Sequence, residues 1–208
     1  MLGTMKGFVR RRAISGFTLI ELMTVVAVVG ILLLVALPTL QDMIRVQRLK
    51  GINAEIVTDL QYARTEATSR GVLVNVRFML PASGYPLSCY ILFTDIASST
   101  VPSTRCSCRL AAGARCPEDG TAEIRTVVVP TSLGVALSIP TTYQDHFAFD
   151  PVTGGILLPA TDFIQPVDRG IAVLAAIDSA RTLRTDLARS GRPSVCAPTG
   201  STMPEPAC

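Results

Sequence analysis

The chain has 208 residues, of which 49% are hydrophobic and 17% are charged, with 15 Gly, 14 Pro and 6 Cys. This length and composition fit one ordinary globular domain with an appended segment, and they exclude a disordered chain, a collagen-like repeat and a polytopic membrane protein. The formal net charge of +3 comes from the basic side chains of residues 1–12. It therefore argues neither for nor against a polyanionic partner.

The apolar excess is concentrated in residues 17–37, where 17 of 21 side chains are apolar. As a helix this segment would be about 31 Å long, close to the ~30 Å hydrocarbon core of a bilayer. A secretory signal has a shorter apolar region followed by a small-x-small cleavage site, and Leu37-Pro38 is not such a site. The sequence therefore predicts a transmembrane helix, and the basic residues 10–12 place the N-terminus in the cytoplasm.

Glu21 is the one ionisable residue within this apolar segment. A charge at the centre of a membrane helix costs about 2.5 to 3.5 kcal/mol on insertion scales, and less toward the ends. Glu21 therefore requires a positive partner. A free α-amino group at Phe17 would supply one if the chain were cut after Gly16, and the pair would be stronger in lipid than in water.

The sequence GFTLIEL at residues 16–22 resembles the processing site of type IV pilins and type II secretion pseudopilins. A short basic leader before it and Pro38 after the apolar segment agree with this resemblance. It implies cleavage between Gly16 and Phe17 by prepilin peptidase, N-methylation of Phe17 and storage as a single-pass inner-membrane protein. Glu21 would then neutralise the Phe17 amine of a neighbouring subunit as the fibre assembles.

An amphipathic pattern continues the helix beyond Pro38. Apolar side chains recur every three or four residues and form one stripe, at Leu49, Ile52, Ile56, Leu60, Ala63 and Ala67. The predicted opposite face carries polar residues, namely Arg48, Asn53, Glu55, Asp59, Arg64 and Glu66. We expect the stripe to pack on the chain's own domain, a helix end at Arg70-Gly71, a kink at Pro38 and a second weak point at Gly51.

Six cysteines all lie on the side of the apolar segment assigned to the periplasm, at Cys89, Cys106, Cys108, Cys116, Cys196 and Cys208. An even count in an oxidising compartment predicts disulfides. Cys106 and Cys108 are separated by one residue and are not expected to pair. We expect Cys196 to pair with Cys208 and the other four to pair among themselves. A four-thiolate zinc site in those four is the alternative, but their spacing fits no common zinc motif.

Short β-rich segments follow the helix. Nine strands are predicted, at residues 72–79, 89–93, 124–129, 135–139, 146–149, 155–158, 170–177, 181–187 and 192–196. With no second helical pattern, they indicate an antiparallel sheet or sandwich. The predicted fold is α+β and pilin-like, with a long helix on a disulfide-stapled sheet. Its expected parts are a leader (1–16), a transmembrane and assembly half of the helix (17–38), an amphipathic half (39–71) and a periplasmic β domain (72–208).

Groups that could perform catalysis are missing from the sequence. The single histidine, His146, precedes an apolar strand, and we expect it at a strand edge or in a loop rather than as a base or metal ligand. The sequence has no nucleophile elbow, phosphate loop or histidine–carboxylate metal pattern. Residues 150–155, DPVTGG, predict a turn between strands. We therefore expect no enzyme, no catalytic residue, no metal and no cofactor.

Two segments resemble the GspH/FimT branch of minor pilins, namely DLQYARTEA at residues 59–67 and the C-terminal residues 181–196. The second implies a closing hairpin that turns at Ser190-Gly191. Members that bind DNA carry Gly-Arg-x-Arg there, whereas this chain has GRPS at residues 191–194 and lacks the second arginine.

Four arginines of the hairpin are the candidate DNA contacts, at Arg181, Arg184, Arg189 and Arg192. They are offset by Asp178 and Asp186, and no aromatic residue is present to stack bases. A charged strand edge that faces water is the favoured interpretation.

The predicted function is a minor pilin of the GspH/FimT/FimU family that primes assembly at or near the tip of a type IV pilus. The alternatives are a GspH-like pseudopilin of type II secretion and a FimT-like DNA-uptake receptor. The long insertion at residues 98–119 and its cysteines favour the pilus. Expected partners are other minor and major pilins, prepilin peptidase and inner-membrane lipid, with DNA not favoured.

Overall fold

The computed structural model describes residues 16–97, 102–159 and 170–208, with the backbone alone for residues 35–39. The prepilin leader predicted for residues 1–16 therefore lies outside the described residues except for Gly16. The chain divides into two compact units, with the boundary between Asp42 and Met43. The first contains the apolar half of the helix, and the second contains the rest of the helix and all described strands.

The single long helix, α1, spans Leu19–Arg70. Thr18 is its N-cap, because its carbonyl accepts the first helical hydrogen bond from Leu22 N–H at 3.1 Å. Gly71 ends the helix in the left-handed conformation with φ +68°, and its N–H donates to the Ala67 carbonyl at 3.0 Å. The predicted stop at Arg70-Gly71 is thus confirmed. Pro38 lies within the helix bounds, where side chains are not described, and its kink stays a prediction.

The nine predicted strands are all present, and in the described residues each pairing between these strands is antiparallel. Their bounds are β1 (Val74–Met79), β2 (Leu87–Asp95), β3 (Thr121–Pro130), β4 (Ala136–Ser138), β5 (His146–Phe149), β6 (Ile156–Leu157), β7 (Ile171–Ala176), β8 (Thr182–Leu187) and β9 (Pro193–Cys196). Sheet 1 has the order β3-β2-β1-β5-β6, and sheet 2 has the order β4-β7-β8-β9. This confirms the α+β class.

The apolar stripe of α1 packs against both sheets in one core. From the helix, Leu49, Ile56, Leu60, Ala63 and Ala67 are buried in this core. Sheet 1 contributes Val76, Tyr90, Leu92, Phe147 and Phe149, and sheet 2 contributes Leu137, Val173, Leu183 and Leu187. The predicted packing of the stripe on its own domain is confirmed for the second unit.

The predicted polar face of α1 is wrong at two positions, because Asn53 and Asp59 are only 3% and 2% exposed. At 100° per residue these positions lie about 60° to either side of Ile56, and the two sheets cover a wider arc than the stripe. The Tyr90 hydroxyl of sheet 1 donates to Asp59 Oδ2 at 2.7 Å. The Thr185 hydroxyl of sheet 2 donates to Asn53 Oδ1 at 2.7 Å. Each sheet is thereby tied to one side of the helix.

The insertion after β2 covers the outer face of sheet 1. Disulfides Cys89–Cys108 and Cys106–Cys116 hold it there, and their sulfurs join a second apolar cluster with Met79, Ile91 and Phe93. The Arg77 guanidinium on β1 donates to the Cys106 carbonyl at 3.1 Å. The four cysteines pair among themselves as predicted, so they offer no thiolates for the alternative zinc site.

The third disulfide, Cys196–Cys208, joins the end of β9 to the end of a strap, which we define as residues 197–208. This is the pairing predicted from the sequence. Met203 of the strap is buried in the main core, and Lys50 Nζ on α1 lies 3.1 Å from Glu205 Oε1. The strap therefore connects sheet 2 to the helix.

Candidate processing and assembly site

The predicted cleavage point lies just before the first turn of α1. Gly16, Phe17 and Thr18 precede the helix, and Phe17 is 80% exposed. The Glu21 N–H donates to the Thr18 hydroxyl at 3.3 Å, which places Glu21 at the third helical position. A Thr-x-x-Glu sequence at this place is the pattern of a capping box. The peptide bond at which cleavage is predicted therefore lies between two exposed residues, and the helix begins only two residues after Phe17.

Glu21 occupies a position where a carboxylate is electrostatically favourable, because the N-terminus of a helix carries a partial positive charge. A new amine at Phe17 would add a full positive charge one residue before the N-cap. The Glu21 side chain is exposed, and no described residue of its own chain forms an ion pair or hydrogen bond with its carboxylate. Its pairing with Phe17 of a neighbouring subunit remains a prediction.

The helix beyond this site is apolar on every side. Thirteen large apolar side chains from Phe17 to Leu34 are between 47% and 80% exposed. A helix that is hydrophobic all round is normally covered by protein or lipid. Considering only the described residues, none of the helices meets the length and apolarity required of a membrane span.

The predicted C-terminal hairpin is present as β8 and β9, with Gly191 at φ +76° in the turn. Two of its four candidate arginines form ion pairs within the chain. Arg181 Nη2 lies 2.6 Å from Asp178 Oδ2. Arg184 Nε lies 2.7 Å from Asp186 Oδ1, and its Nη2 donates to the Tyr143 hydroxyl at 2.9 Å.

The other two arginines, Arg189 and Arg192, are exposed near the turn. Neither side chain forms an ion pair with any residue in the described part of the chain. The hairpin therefore presents two cations rather than four, without an aromatic side chain in β8 or β9 to stack a base.

The other candidate chemical groups are a histidine, a turn and a set of metal-ligand residue types, and each has a local structural role. His146 is the first residue of β5, with its Nδ1 2.7 Å from Asp145 Oδ1. Residues 150–155 form the predicted turn, with Gly154 at φ +65°. In the described ranges, one group of metal-ligand types is compact enough to hold an ion, Asp186 with Cys196 and Cys208. Its two sulfurs are joined in a disulfide and cannot bind as thiolates.

A comparison with protein-family models finds the prokaryotic N-terminal methylation motif at residues 11–37. The motif is a prepilin-type leader, and it contains Gly16, Phe17 and Glu21. It indicates a type IV pilin-like or pseudopilin protein, which is a structural class and not a class of enzymes. The motif also implies assembly with other pilins and processing by prepilin peptidase. No curated protein and no solved structure matches the chain.

Proposed function

We propose that this chain is a minor pilin of the GspH/FimT/FimU kind that primes assembly of a type IV pilus at or near its tip. One observation carries the proposal. The methylation motif at residues 11–37 coincides with an exposed cleavage point and with a helix whose apolar side chains have no cover in the first unit. Such a helix fits a subunit that is stored in the inner membrane and then buried in a fibre.

Processing fits the local structure around the scissile bond. The Gly16-Phe17 peptide bond lies outside α1, so prepilin peptidase can reach it without unwinding the helix. The leader stays on the cytoplasmic side, and residues 17–38 remain as the anchor. The partial positive charge of the helix N-terminus destabilises the positive charge of the new Phe17 amine. A nearby carboxylate would offset this destabilisation.

Glu21 supplies this carboxylate to the neighbouring subunit. An ion pair gains strength where water is excluded, and both partners would lose their water when apolar helices pack side by side. A subunit that is misplaced along the fibre would leave a charge without a partner in an apolar environment, which is costly. Glu21 therefore sets the axial position of the subunit.

The periplasmic domain is suited to contact other subunits as a rigid body. Residues 102–119 are fastened to sheet 1 by two disulfides and by ion pairs such as Arg115–Glu123 at 2.7 Å. This fastened insertion supports the pilus assignment over the secretion pseudopilin. The ion pairs of Arg181 and Arg184 argue against DNA uptake as the main role.

Three substitutions at the start of α1 test the assembly role. Glu21→Gln keeps the shape of the side chain and removes the charge, Glu21→Asp keeps the charge, and Thr18→Ala removes only the cap. We expect Glu21→Gln to insert and be processed normally but to enter sheared fibres at least about tenfold less than wild type, since an unpaired amine costs more than about 1.4 kcal/mol. Glu21→Asp should retain most incorporation. Normal incorporation of Glu21→Gln would reject the pairing role.

Mass spectrometry of the mature chain tests the processing step independently. We expect a first residue Phe17 carrying one N-methyl group. A chain that still begins before residue 16 would reject the whole assignment. Crosslinking of native fibres followed by identification of the partners then separates the two machines. Pilus subunits support the proposal, and secretion pseudopilins replace it with the GspH-like role.

A further inference from the structure

The three disulfides differ in their exposure to solvent. Of the four cysteines in Cys89–Cys108 and Cys106–Cys116, Cys89, Cys106 and Cys108 are buried in the second apolar cluster, and Cys116 is half-buried against it. Cys196 is also buried, but its partner Cys208 is exposed. Cys208 also lines an open cavity of about 330 Å³ on sheet 2, together with Tyr143, Arg184 and Asp186.

Charged groups surround the exposed disulfide. Asp186 Oδ2 lies 3.5 Å from Cys196 Sγ, and this contact is not a hydrogen bond because a disulfide sulfur carries no proton. The other oxygen of Asp186 is paired with Arg184 Nε at 2.7 Å. A negative charge next to a sulfur disfavours a second negative charge on it, so Asp186 opposes the formation of a thiolate at Cys196.

The disulfide closes the strap on the rest of the domain. The Thr202 N–H donates to the Ala180 carbonyl at 2.7 Å, and the Ser201 hydroxyl donates to the Thr182 carbonyl at 2.7 Å. Glu205 reaches the helix at Lys50 and forms one wall of a groove beside α1. The strap is held by these contacts and by the bond at its end.

We propose that Cys196–Cys208 is a thiol–disulfide exchange site for protein dithiols, whose opening releases the strap from α1, and that the other two disulfides are less accessible to exchange. A reductant thiolate attacks Cys208 Sγ from the cavity, the bond between the two sulfurs breaks, and Cys196 leaves as a thiolate that takes up a proton. The second thiol of the reductant then displaces Cys208. Two electrons and two protons pass to the protein, and the reductant ends as a disulfide.

Asp186 is a positioning residue that protects this bond. Its carboxylate raises the energy of the leaving Cys196 thiolate, while Arg184 partly offsets that charge. Removal of the carboxylate therefore accelerates reduction, and removal of the guanidinium slows it. These opposite signs distinguish an electrostatic role from simple loosening of the strap, which would accelerate reduction in both variants.

The first experiment measures which cysteines become reactive. The full mature chain in detergent is treated with dithiothreitol for increasing times, alkylated with iodoacetamide and digested for mass spectrometry. We expect label on Cys196 and Cys208 at least about tenfold faster than on the other four, because exchange depends on access to a sulfur. Equal or faster labelling of Cys89, Cys106, Cys108 or Cys116 would overturn the proposal.

The second experiment follows the rate of reduction in matched variants. We expect Asp186→Asn to react several-fold faster and Arg184→Gln to react more slowly than wild type. The control is Asp119→Asn, which removes an exposed carboxylate from the insertion and should leave the rate unchanged. If Asp186→Asn and Arg184→Gln shift the rate in the same direction, the electrostatic protection is rejected.

The third experiment tests the release of the strap. In a Cys196→Ser/Cys208→Ser variant we expect amide hydrogen exchange over residues 197–208 to rise at least about tenfold, because the hydrogen bonds of Thr202 and Cys208 N–H open more often. Exchange in β1 and β2 should stay as in wild type. Unchanged protection of residues 197–208 would show that the disulfide does not hold the strap, which would overturn that part of the proposal.

Discussion

Asp59 shows how a single polar residue can fix a long helix on a sheet. Its carboxylate is buried, accepts a hydrogen bond from the Tyr90 hydroxyl at 2.7 Å, and lies 2.9 Å from Arg125 Nε on β3. Arg125 also contacts Glu55 Oε1 at 2.9 Å, one turn earlier on α1. The cluster therefore joins the helix to two neighbouring strands of sheet 1, and it accounts for a carboxylate that the amphipathic pattern assigns to solvent.

Removal of the Tyr90 hydroxyl should weaken this junction. We expect Tyr90→Phe to lower the free energy of unfolding by about 1 to 3 kcal/mol, because it removes one of the two donors, Tyr90 and Arg125, that contact the buried Oδ2 of Asp59. Tyr62→Phe is the control, since Tyr62 lies on the exposed side of α1. Urea denaturation of the two variants measures the difference. Equal stability of both variants would contradict a structural role for the buried hydrogen bond.

Asp59 should also give the stability a specific pH dependence. Burial raises the pKa of Asp59 above its ordinary value of 3.8, although the Tyr90 hydrogen bond and the Arg125 charge act in the opposite direction. The folded chain therefore keeps the proton at pH values where the unfolded chain has lost it. Stability contributed by this proton is complete below pH 3.8 and is lost as the pH rises through the folded pKa.

The comparison of wild type with Asp59→Asn isolates this effect. We expect the stability of the variant relative to wild type to increase as the pH rises from 3.8 toward neutrality. Unfolding in urea at a series of pH values measures this difference directly. A relative stability that falls or stays constant across that interval would show that the pKa of Asp59 is not raised in the folded chain.

At the scale of elements, two glycines in tight turns differ in what surrounds them. Gly191 joins β8 to β9 with φ +76°, and a Cβ there would lie 2.1 Å from the Gly154 carbonyl oxygen of the β5–β6 turn. The Ile156 N–H donates to the Arg189 carbonyl at 2.9 Å across the same junction. The hairpin turn is therefore packed against a turn of sheet 1.

Substitution of these glycines should separate backbone strain from crowding. Gly200 has φ +88° with no atom within 4 Å of an added Cβ, so Gly200→Ala should cost about 1 to 2 kcal/mol from the left-handed conformation alone. Gly191→Ala adds a clash and should cost about 3 kcal/mol or more. Thermal denaturation of both variants measures this difference. Equal costs would show that the two turns do not touch as described.

Helices and strands can be predicted from the sequence where one local pattern of residue types is strong. The stripe from Leu49 to Ala67 and the stop at Gly71 predict the second half of α1, and β-rich segments bounded by turn residues predict the strands. Asn53 and Asp59 were missed as core residues because hydropathy does not report hydrogen-bond partners far away in the chain. Cysteine spacing predicted the C-terminal disulfide, but the pairing of Cys89 with Cys108 depends on how the insertion folds over β2.

Some features of the candidate site can also be predicted from the sequence, whereas others require the fold. Residues 16–22 can be identified from their order alone, because a peptidase reads a short segment. The ion pairs of Arg181 and Arg184 can be anticipated in part from the sequence, because Asp178 and Asp186 are close to them along the chain. The bond between Arg184 and the Tyr143 hydroxyl, 41 residues apart, requires the fold.

At the scale of the whole molecule, the core formed by the described residues lies in the second unit. Among the described residues, the buried members of the two apolar clusters lie at or beyond Leu49, with Val46 partly buried against the first cluster, and the three disulfides lie there as well. The large apolar side chains described in the first unit are exposed. The stability of the domain should therefore be independent of residues 1–42.

A chain that begins at residue 43, exported behind a cleavable secretory signal, tests this independence. We expect it to be soluble, to form the same three disulfides and to melt within about 4 °C of the domain transition of the full chain in detergent, since a change of about 1 kcal/mol shifts the melting temperature of a domain of this size by about 2 to 4 °C. Calorimetry and peptide mapping provide the two measurements. A non-cooperative transition would show that the first unit contributes to the core.

The covered outer face of sheet 1 restricts how the domain can meet its neighbours. Most side chains of β1, β2 and β5 are buried, whereas Val129 is the one buried residue of β3 and four of its ten residues, Val128 among them, are exposed. Central strands whose side chains are already buried cannot form a contact surface for another molecule. If neighbouring subunits contact the domain at sheet 1, the edge strand β3 and the crosslinked loop are the surfaces available there, so substitutions at exposed positions of that loop would alter such contacts without changing the core.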